Sequence, residues 1–165
     1  MKVATKAYGL VEVDERQRIK FPQGLFGFES FRDYILLDAE QQPFYWLQSL
    51  DVEQVAFVLI NPFLFRPDYE MNIENDELLP IGITDPGKAV IFAIVTIPPD
   101  TGPMTANLQG PIVINRDSRL GIQAVLTDSR WKTKHDIVAE LQAATQHASQ
   151  YAAQSANQPA KQTGR

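Results

Sequence analysis

The groups in this chain best suited to chemistry are five carboxylates set within ten residues, Asp68, Glu70, Glu74, Asp76 and Glu77, and two histidines, His135 and His147. Carboxylates this close together could bind a cation, share a proton or attract a basic partner. A calcium loop of the EF-hand type needs glycine at its sixth position and glutamate at its twelfth; counted from Asp68, those places hold Ile73 and Leu79. The histidines stand twelve residues apart, outside any HExxH arrangement, and the chain has no cysteine. A zinc site therefore lacks its ligands, and thiol nucleophiles and disulfides are excluded with it. No serine sits in a GxSxG setting. Gly87-Lys88 follows Asp85-Pro86 in a turn that leads into a strand, not into the helix a phosphate loop requires, and Gly24-Leu-Phe-Gly27 lacks the spacing of a dinucleotide loop. No cofactor, metal or catalytic residue is expected. The acidic run keeps two readings. Tyr69, Met71 and Ile73 alternate with Glu70, Asn72 and Glu74, as in a strand with one buried and one wet face. The same carboxylates could instead form a docking patch for a basic partner, contributing orientation and on-rate more than affinity.

The elements that would carry these groups are mostly strands. All nine phenylalanines lie between Phe21 and Phe92, and β-branched or aromatic runs continue to about Leu126. Strands are expected at Val3 to Tyr8, Leu10 to Val13, Arg18 to Phe21, Tyr34 to Leu37, Phe44 to Ser49 and Val55 to Ile60. Further strands are expected at Tyr69 to Ile73, Ala89 to Ile97, Pro111 to Ile114 and Ile122 to Leu126. Turn residues at regular spacing, without helical periods between them, predict a mainly β fold: an antiparallel β-barrel-like structure, a partly open barrel or a sandwich. Val55 to Ile60, apolar on both faces, should be central. Thr133 followed by Asp136 resembles a capping box and predicts a C-terminal helix, with Ile137, Leu141, Ala144 and Ala148 as a weak apolar stripe. The expected organisation is a barrel-like domain over 1–132, a helix over 133–153 packed on or near it, and a flexible Ala- and Gln-rich tail over 154–165.

A net charge of -5 argues against a protein that neutralises nucleic-acid phosphates. The longest apolar stretch, Ala89 to Ile97, is too short to span a bilayer, which takes about 20 residues. The first residues, Met1 to Lys6, do not form a secretory signal. A cytoplasmic protein that binds neither nucleic acid nor membrane is the expectation.

Phe21-Pro-Gln-Gly-Leu-Phe-Gly-Phe-Glu29, then Pro43 to Ser49, Phe57 to Pro62 and Pro67-Asp-Tyr69, then Thr105-Ala-Asn-Leu-Gln-Gly-Pro-Ile-Val-Ile-Asn115 and Gln123 to Leu126, together resemble the flagellar assembly factor FliW family. The segments occur in family order over about Tyr8 to His135, and the pairing of GLFGFE with TANLxxPIVIN is what makes the resemblance specific. It implies a β-barrel-like cytoplasmic protein, without enzymatic activity, that binds flagellin. When free of flagellin it binds the translational regulator CsrA and relieves repression of flagellin mRNA. A chaperone for flagellin alone is the alternative, and a small-ligand-binding barrel a more distant one. The motif positions Gly24, Leu25, Gly27, Phe28, Glu29, Thr105, Asn107, Leu108 and Pro111 either build the fold or touch partners, and Asp68, Glu70, Glu74, Asp76 and Glu77 are the candidate contact for CsrA. Two positions depart from the family pattern: Gly110 stands where alanine is expected and Trp131 where tyrosine is expected.

Overall fold

In the computed structural model, which describes residues 1–156 and the side chains of residues 1–146, the β-rich part of the chain forms one eight-stranded antiparallel sheet and a separate two-stranded hairpin. The hairpin is β1 (Lys2–Thr5) and β2 (Gly9–Glu12). Val3 and Thr5 point inward while Lys2 and Ala4 are exposed, so the alternation in sequence becomes a one-sided strand. The large sheet uses β3 (Arg18–Lys20), β4 (Asp33–Asp38), β5 (Tyr45–Ser49), β6 (Ala56–Ile60), α1 (Asn75–Leu78) as an interruption outside the sheet, then β7 (Ala89–Thr96) and β8 (Thr105–Asn115). It is completed by β9 (Gly121–Gln123) and β10 (His135–Asp136), and α2 (Ile137–Ala156) follows directly. The order β3-β4-β5-β6-β7-β8 places β6 in the middle, as its two-sided apolar sequence predicts.

The sheet curls until its ends nearly meet. The amide of Lys20 on β3 donates to the Arg119 carbonyl at 3.0 Å, and Lys20 bridges Leu120 in parallel, so the β8–β9 turn reaches the first strand of the sheet. Curvature of this degree lets one set of side chains converge: Phe21, Tyr34, Leu47, Leu59 and Ile112 are fully buried together. The fold is therefore a nearly closed antiparallel barrel-like sheet with a C-terminal helix.

Three features differ from the sequence expectations. The strand expected at Pro111 to Ile114 is the end of the eleven-residue β8, which absorbs the whole TANLQGPIVIN segment. Gly110 and Pro111 are accommodated because the register against β7 shifts between Phe92 and Ile94, a bulge where a proline removes no ladder bond. Tyr69 to Ile73 is not a strand. Its side chains alternate in burial as predicted, but among the described residues no neighbouring strand pairs with it. Finally, Thr133 does not cap the helix: residues 135–136 pair with Ala106 and Thr105 as β10, and the Asp136 carboxylate accepts the Ala139 amide at 3.0 Å, capping α2 three residues later than expected. Ile137 is buried, whereas Leu141 of the expected apolar stripe is 44% exposed, so α2 is attached by its first turn. His147 and the tail residues 157–165 lie outside the described side chains and residues respectively.

Loop geometry separates two glycines that look alike in sequence. Gly9 and Gly24 both have left-handed backbones, φ 68° and 69°. A Cβ at Gly9 meets open space, while one at Gly24 falls 2.5 Å from the Glu29 Cα. Gly9→Ala should therefore cost only the backbone term, about 1–2 kcal/mol, and Gly24→Ala about 3 kcal/mol or more because the loop must also move. Urea unfolding of the two variants checks the difference.

Candidate functional site

The GLFGFE segment is a tight loop between β3 and β4, closed by an isolated bridge between Leu25 and Phe28. Gly24 and Gly27 supply left-handed backbones, Leu25 is buried, and the Phe28 ring, partly exposed, meets Phe57 edge-on at 5.1 Å. The Glu29 carboxylate accepts the Gly27 amide at 3.1 Å, so this acid closes its own loop. The loop is tied to the rest of the chain by Gln123: its Oε1 accepts the Phe26 amide at 3.0 Å while its Nε2 donates to the Gly110 carbonyl at 3.0 Å. One glutamine thus brings the two family segments together.

Around Gly110 the TANLQGPIVIN residues are occupied in the same way. Asn107 Oδ1 accepts the amides of Gln109 and Gly110 at 3.0 and 2.9 Å. Leu108 is fully buried, Pro111 is buried, and Thr105 sits between Thr96 and Asp136 in the sheet. An alanine Cβ at position 110 would stand 3.0 Å from Gln123 Nε2 and 3.3 Å from Asn107 Nδ2, so the glycine gives both amides their room. In the described structure, Gly24, Leu25, Glu29, Thr105, Asn107, Leu108 and Pro111 shape the fold. Phe26 (55% exposed) and Phe28 are motif aromatic side chains left at the surface.

The acidic run divides in two. Asp68 is held bidentately by Arg66, at 2.9 and 2.8 Å, and Arg66 also reaches Glu140 on α2 at 2.9 Å. Glu140 in turn hydrogen-bonds His135 Nδ1 at 3.0 Å, while His135 Nε2 accepts the Lys132 amide at 2.9 Å. Glu70 lies 3.7 Å from Arg130, whose guanidinium is gripped by Asp128. Both arginines stack on the buried Trp131 ring, at 4.8 and 4.9 Å from its centroid, and Tyr69 meets that ring edge-on at 4.8 Å. Sequence reasoning missed this cluster. The departure from the family pattern at Trp131 was the available signal, since a larger ring gives both cations a face. Asp68 and Glu70 thus each face an arginine of the same chain, Asp68 closely and Glu70 at longer range. Glu74, which immediately precedes α1, and Asp76 and Glu77 within it have no ion pair among the described residues.

Those unpaired carboxylates lie beside an open apolar groove of about 730 Å³. Met71 and Ile73 line it from the extended segment, Leu78 and Leu79 from α1 and the turn after it, and Ile91 and Val113 from the sheet. Leu79 is 69% exposed and Phe63, also lining it, 39% exposed. The apolar run from Leu78 to Ile83 carried this signal in the sequence, interrupted by Pro80 and Gly82 so that it suits neither strand nor helix. Among the described residues, no three His, Asp or Glu side chains converge as a metal would need, and no helix is long and apolar enough to cross a membrane. What the arrangement can do is bury apolar side chains of another molecule next to negative charge.

Fold and surface together define a small barrel-like β domain whose sequence motifs brace the fold internally and whose surface carries an open apolar groove. The model of the FliW protein family matches residues 2–137, and the chain belongs to that family. It is 53% identical to the flagellar assembly factor FliW of Treponema denticola over 144 residues, 87% of this chain and 98% of that protein. It is 47% identical to that of Treponema pallidum over 141 residues, 86% of this chain and 94% of the relative. A crystal structure of a flagellar assembly factor FliW superposes with a TM-score of 0.75 at 40% identity, covering 83% of this chain and 96% of that one.

The Arg66 fork holds the Asp68 carboxyl below its usual value of 3.8. A lowered folded-state value means that the pair stabilises the fold above the unfolded pKa and stops doing so as pH falls through the folded one. The melting temperature of Asp68→Asn should therefore lie below that of the unmodified chain at pH 7, and the gap should begin to narrow as pH falls below about 4. Thermal melts across pH 3 to 7 test this; a gap that is independent of pH assigns the loss to packing instead.

Proposed function

We propose that this protein is a non-enzymatic cytoplasmic regulator of flagellum assembly that binds flagellin and, when free of it, binds and antagonises CsrA, relieving repression of flagellin mRNA. The observation that carries this reading is the FliW family match across residues 2–137, which includes both motif segments. The partners exclude one another, so export of flagellin releases the protein to act on CsrA; occupancy, set by concentrations and affinities, is the signal. Antagonism away from the RNA-binding surface of CsrA makes the effect a coupling between sites. A net charge of -5 suits a protein that approaches an RNA-binding partner rather than RNA.

Of the five candidate acids, Glu74, Asp76 and Glu77 suit a basic partner best, because Asp68 and Glu70 already face arginines of the same chain. Removing them alters a surface and leaves the Trp131 cluster intact.

The function is tested by size-exclusion co-elution with CsrA and with flagellin from the same organism. Each should co-elute with the purified chain and displace the other. Binding of flagellin without CsrA would select the export chaperone, and binding of neither would overturn the proposal. The double reversal Glu74→Lys, Asp76→Lys should weaken CsrA binding by about tenfold at low salt, with an unchanged melting temperature and a smaller effect at 0.5 M salt. Unchanged affinity at low salt would place the contact elsewhere.

A further inference from the structure

The segment between Tyr69 and α1 combines three properties found together nowhere else among the described residues. Its side chains alternate as a strand's do: Tyr69 is buried, Met71 and Ile73 half-buried, and Glu70, Asn72 and Glu74 exposed. Its backbone is unused, for within the described residues no amide or carbonyl of Glu70, Met71, Asn72 or Ile73 has a hydrogen-bond partner in the chain. It also forms one wall of the apolar groove, through Met71 and Ile73. Elsewhere in the large sheet, runs of this pattern are paired on the ladder.

We infer that Glu70–Glu74 is an open strand edge to which a partner protein adds an extended segment that alternates apolar with Lys or Arg side chains. The chemistry of the segment follows from the face each residue shares with its cross-strand neighbour. Residues beside Met71 and Ile73 point toward the groove, where Leu78, Ile91 and Val113 offer apolar contact. Residues beside Asn72 and Glu74 point to solvent next to the Glu74 carboxylate, with Asp76 and Glu77 beyond it, while the position beside Glu70 faces the Glu70–Arg130 pair. The cation nearest in sequence to the groove-lining residues, Lys88 after Pro86, is occupied by Asp117 at 3.2 Å, which leaves Glu74, Asp76 and Glu77 uncompensated by it. Backbone accounting favours an extended occupant over a helical one. A helix satisfies its own amides and carbonyls and leaves those of Glu70 to Ile73 to water, whereas an added strand pairs with them and draws affinity from main-chain bonds.

This inference rests on the protein-binding function proposed above and specifies how the acidic side of the groove is used. It is tested on the full chain by fluorescence anisotropy with a labelled seven-residue peptide of alternating Lys and Val or Ile. Three comparisons accompany it: the same composition with the lysines in one block, an amphipathic helical peptide of equal charge, and two versions N-methylated at alternate backbone positions in one register or the other. The alternating peptide should bind at least about tenfold more tightly than the blocked one, and N-methylation in one of the two registers should abolish binding. Amide exchange at Met71, Asn72 and Ile73 should slow on binding. Absence of binding, equal binding of alternating and blocked peptides, tighter binding of the helical one, or indifference to both N-methylations would each overturn strand addition. Co-elution with CsrA and flagellin is read in parallel. If it persists while the peptide test fails, the proposed function stands and the docking mode falls; if it fails, the function itself falls.

Discussion

An eleven-residue strand cannot carry a glycine and a proline through its middle unless other parts of the chain satisfy the backbone groups that the interruption strands. In β8 every such carbonyl finds a partner from a different place. The Leu108 carbonyl accepts the Tyr69 hydroxyl at 2.6 Å, that of Gln109 the Leu126 amide at 2.8 Å, that of Gly110 the Gln123 side chain, and that of Pro111 the Ala124 amide at 2.9 Å. The Lys132 carbonyl accepts the amides of Leu108 and Gln109 at 3.0 and 3.1 Å, and Asn107 takes those of Gln109 and Gly110. The bulge is therefore a junction. It fixes Tyr69, the strand after β9, and Lys132 around one point, and through Gln123 it fixes the GLFGFE loop as well.

From that junction the surface follows. Tyr69 is anchored at its hydroxyl and against Trp131, and burial pushes its phenol well above the usual value, so it stays a neutral donor at any physiological pH. Losing one buried hydrogen bond of this kind typically costs about 1–3 kcal/mol, against about 0–1 kcal/mol for an exposed ion pair. The Tyr69 anchor thus outweighs any single surface pair among Arg130, Asp128 and Glu70, whose role is to orient side chains on Trp131. Beyond Tyr69 the chain runs extended without pairing, then turns into α1. Should a partner chain pair with this segment, as proposed, little ordering would remain to be done at the anchored end before it docks.

Most of the sheet is legible in the sequence because alternation and turn chemistry are local. Val3 and Thr5, the apolar run at Val55 to Ile60, and the turn at Asp85-Pro86-Gly87 say what they do without reference to the rest of the chain. What is not legible depends on distant partners. The pattern from Tyr69 to Ile73 reads as a strand, and only the sheet order shows that no neighbour pairs with it. Pro111 reads as the start of a strand because Tyr69, Gln123 and Lys132, which carry β8 through the interruption, lie 13 to 41 residues from Gly110 in the chain. Thr133 and Asp136 both suit a helix start, and it is the pairing of His135 and Asp136 with β8 that selects Asp136. For the site, the five carboxylates were visible, but their division into paired and unpaired sets required the arginines, and the groove required three separate segments to meet. Most of the family-motif positions have packing or hydrogen-bonding work within the fold.

Partners received, as proposed, on the groove side of the segment from Glu70 to Leu79 would leave the GLFGFE and TANLQG segments, which brace the fold, untouched. Hydrogen–deuterium exchange of the full chain, free and saturated with CsrA, tests this most directly. The account predicts slowed exchange concentrated in residues 70–79, with the amides of residues 24–29 and 105–111 unchanged. Protection centred on Phe26 and Phe28, with residues 70–79 unaffected, would contradict it.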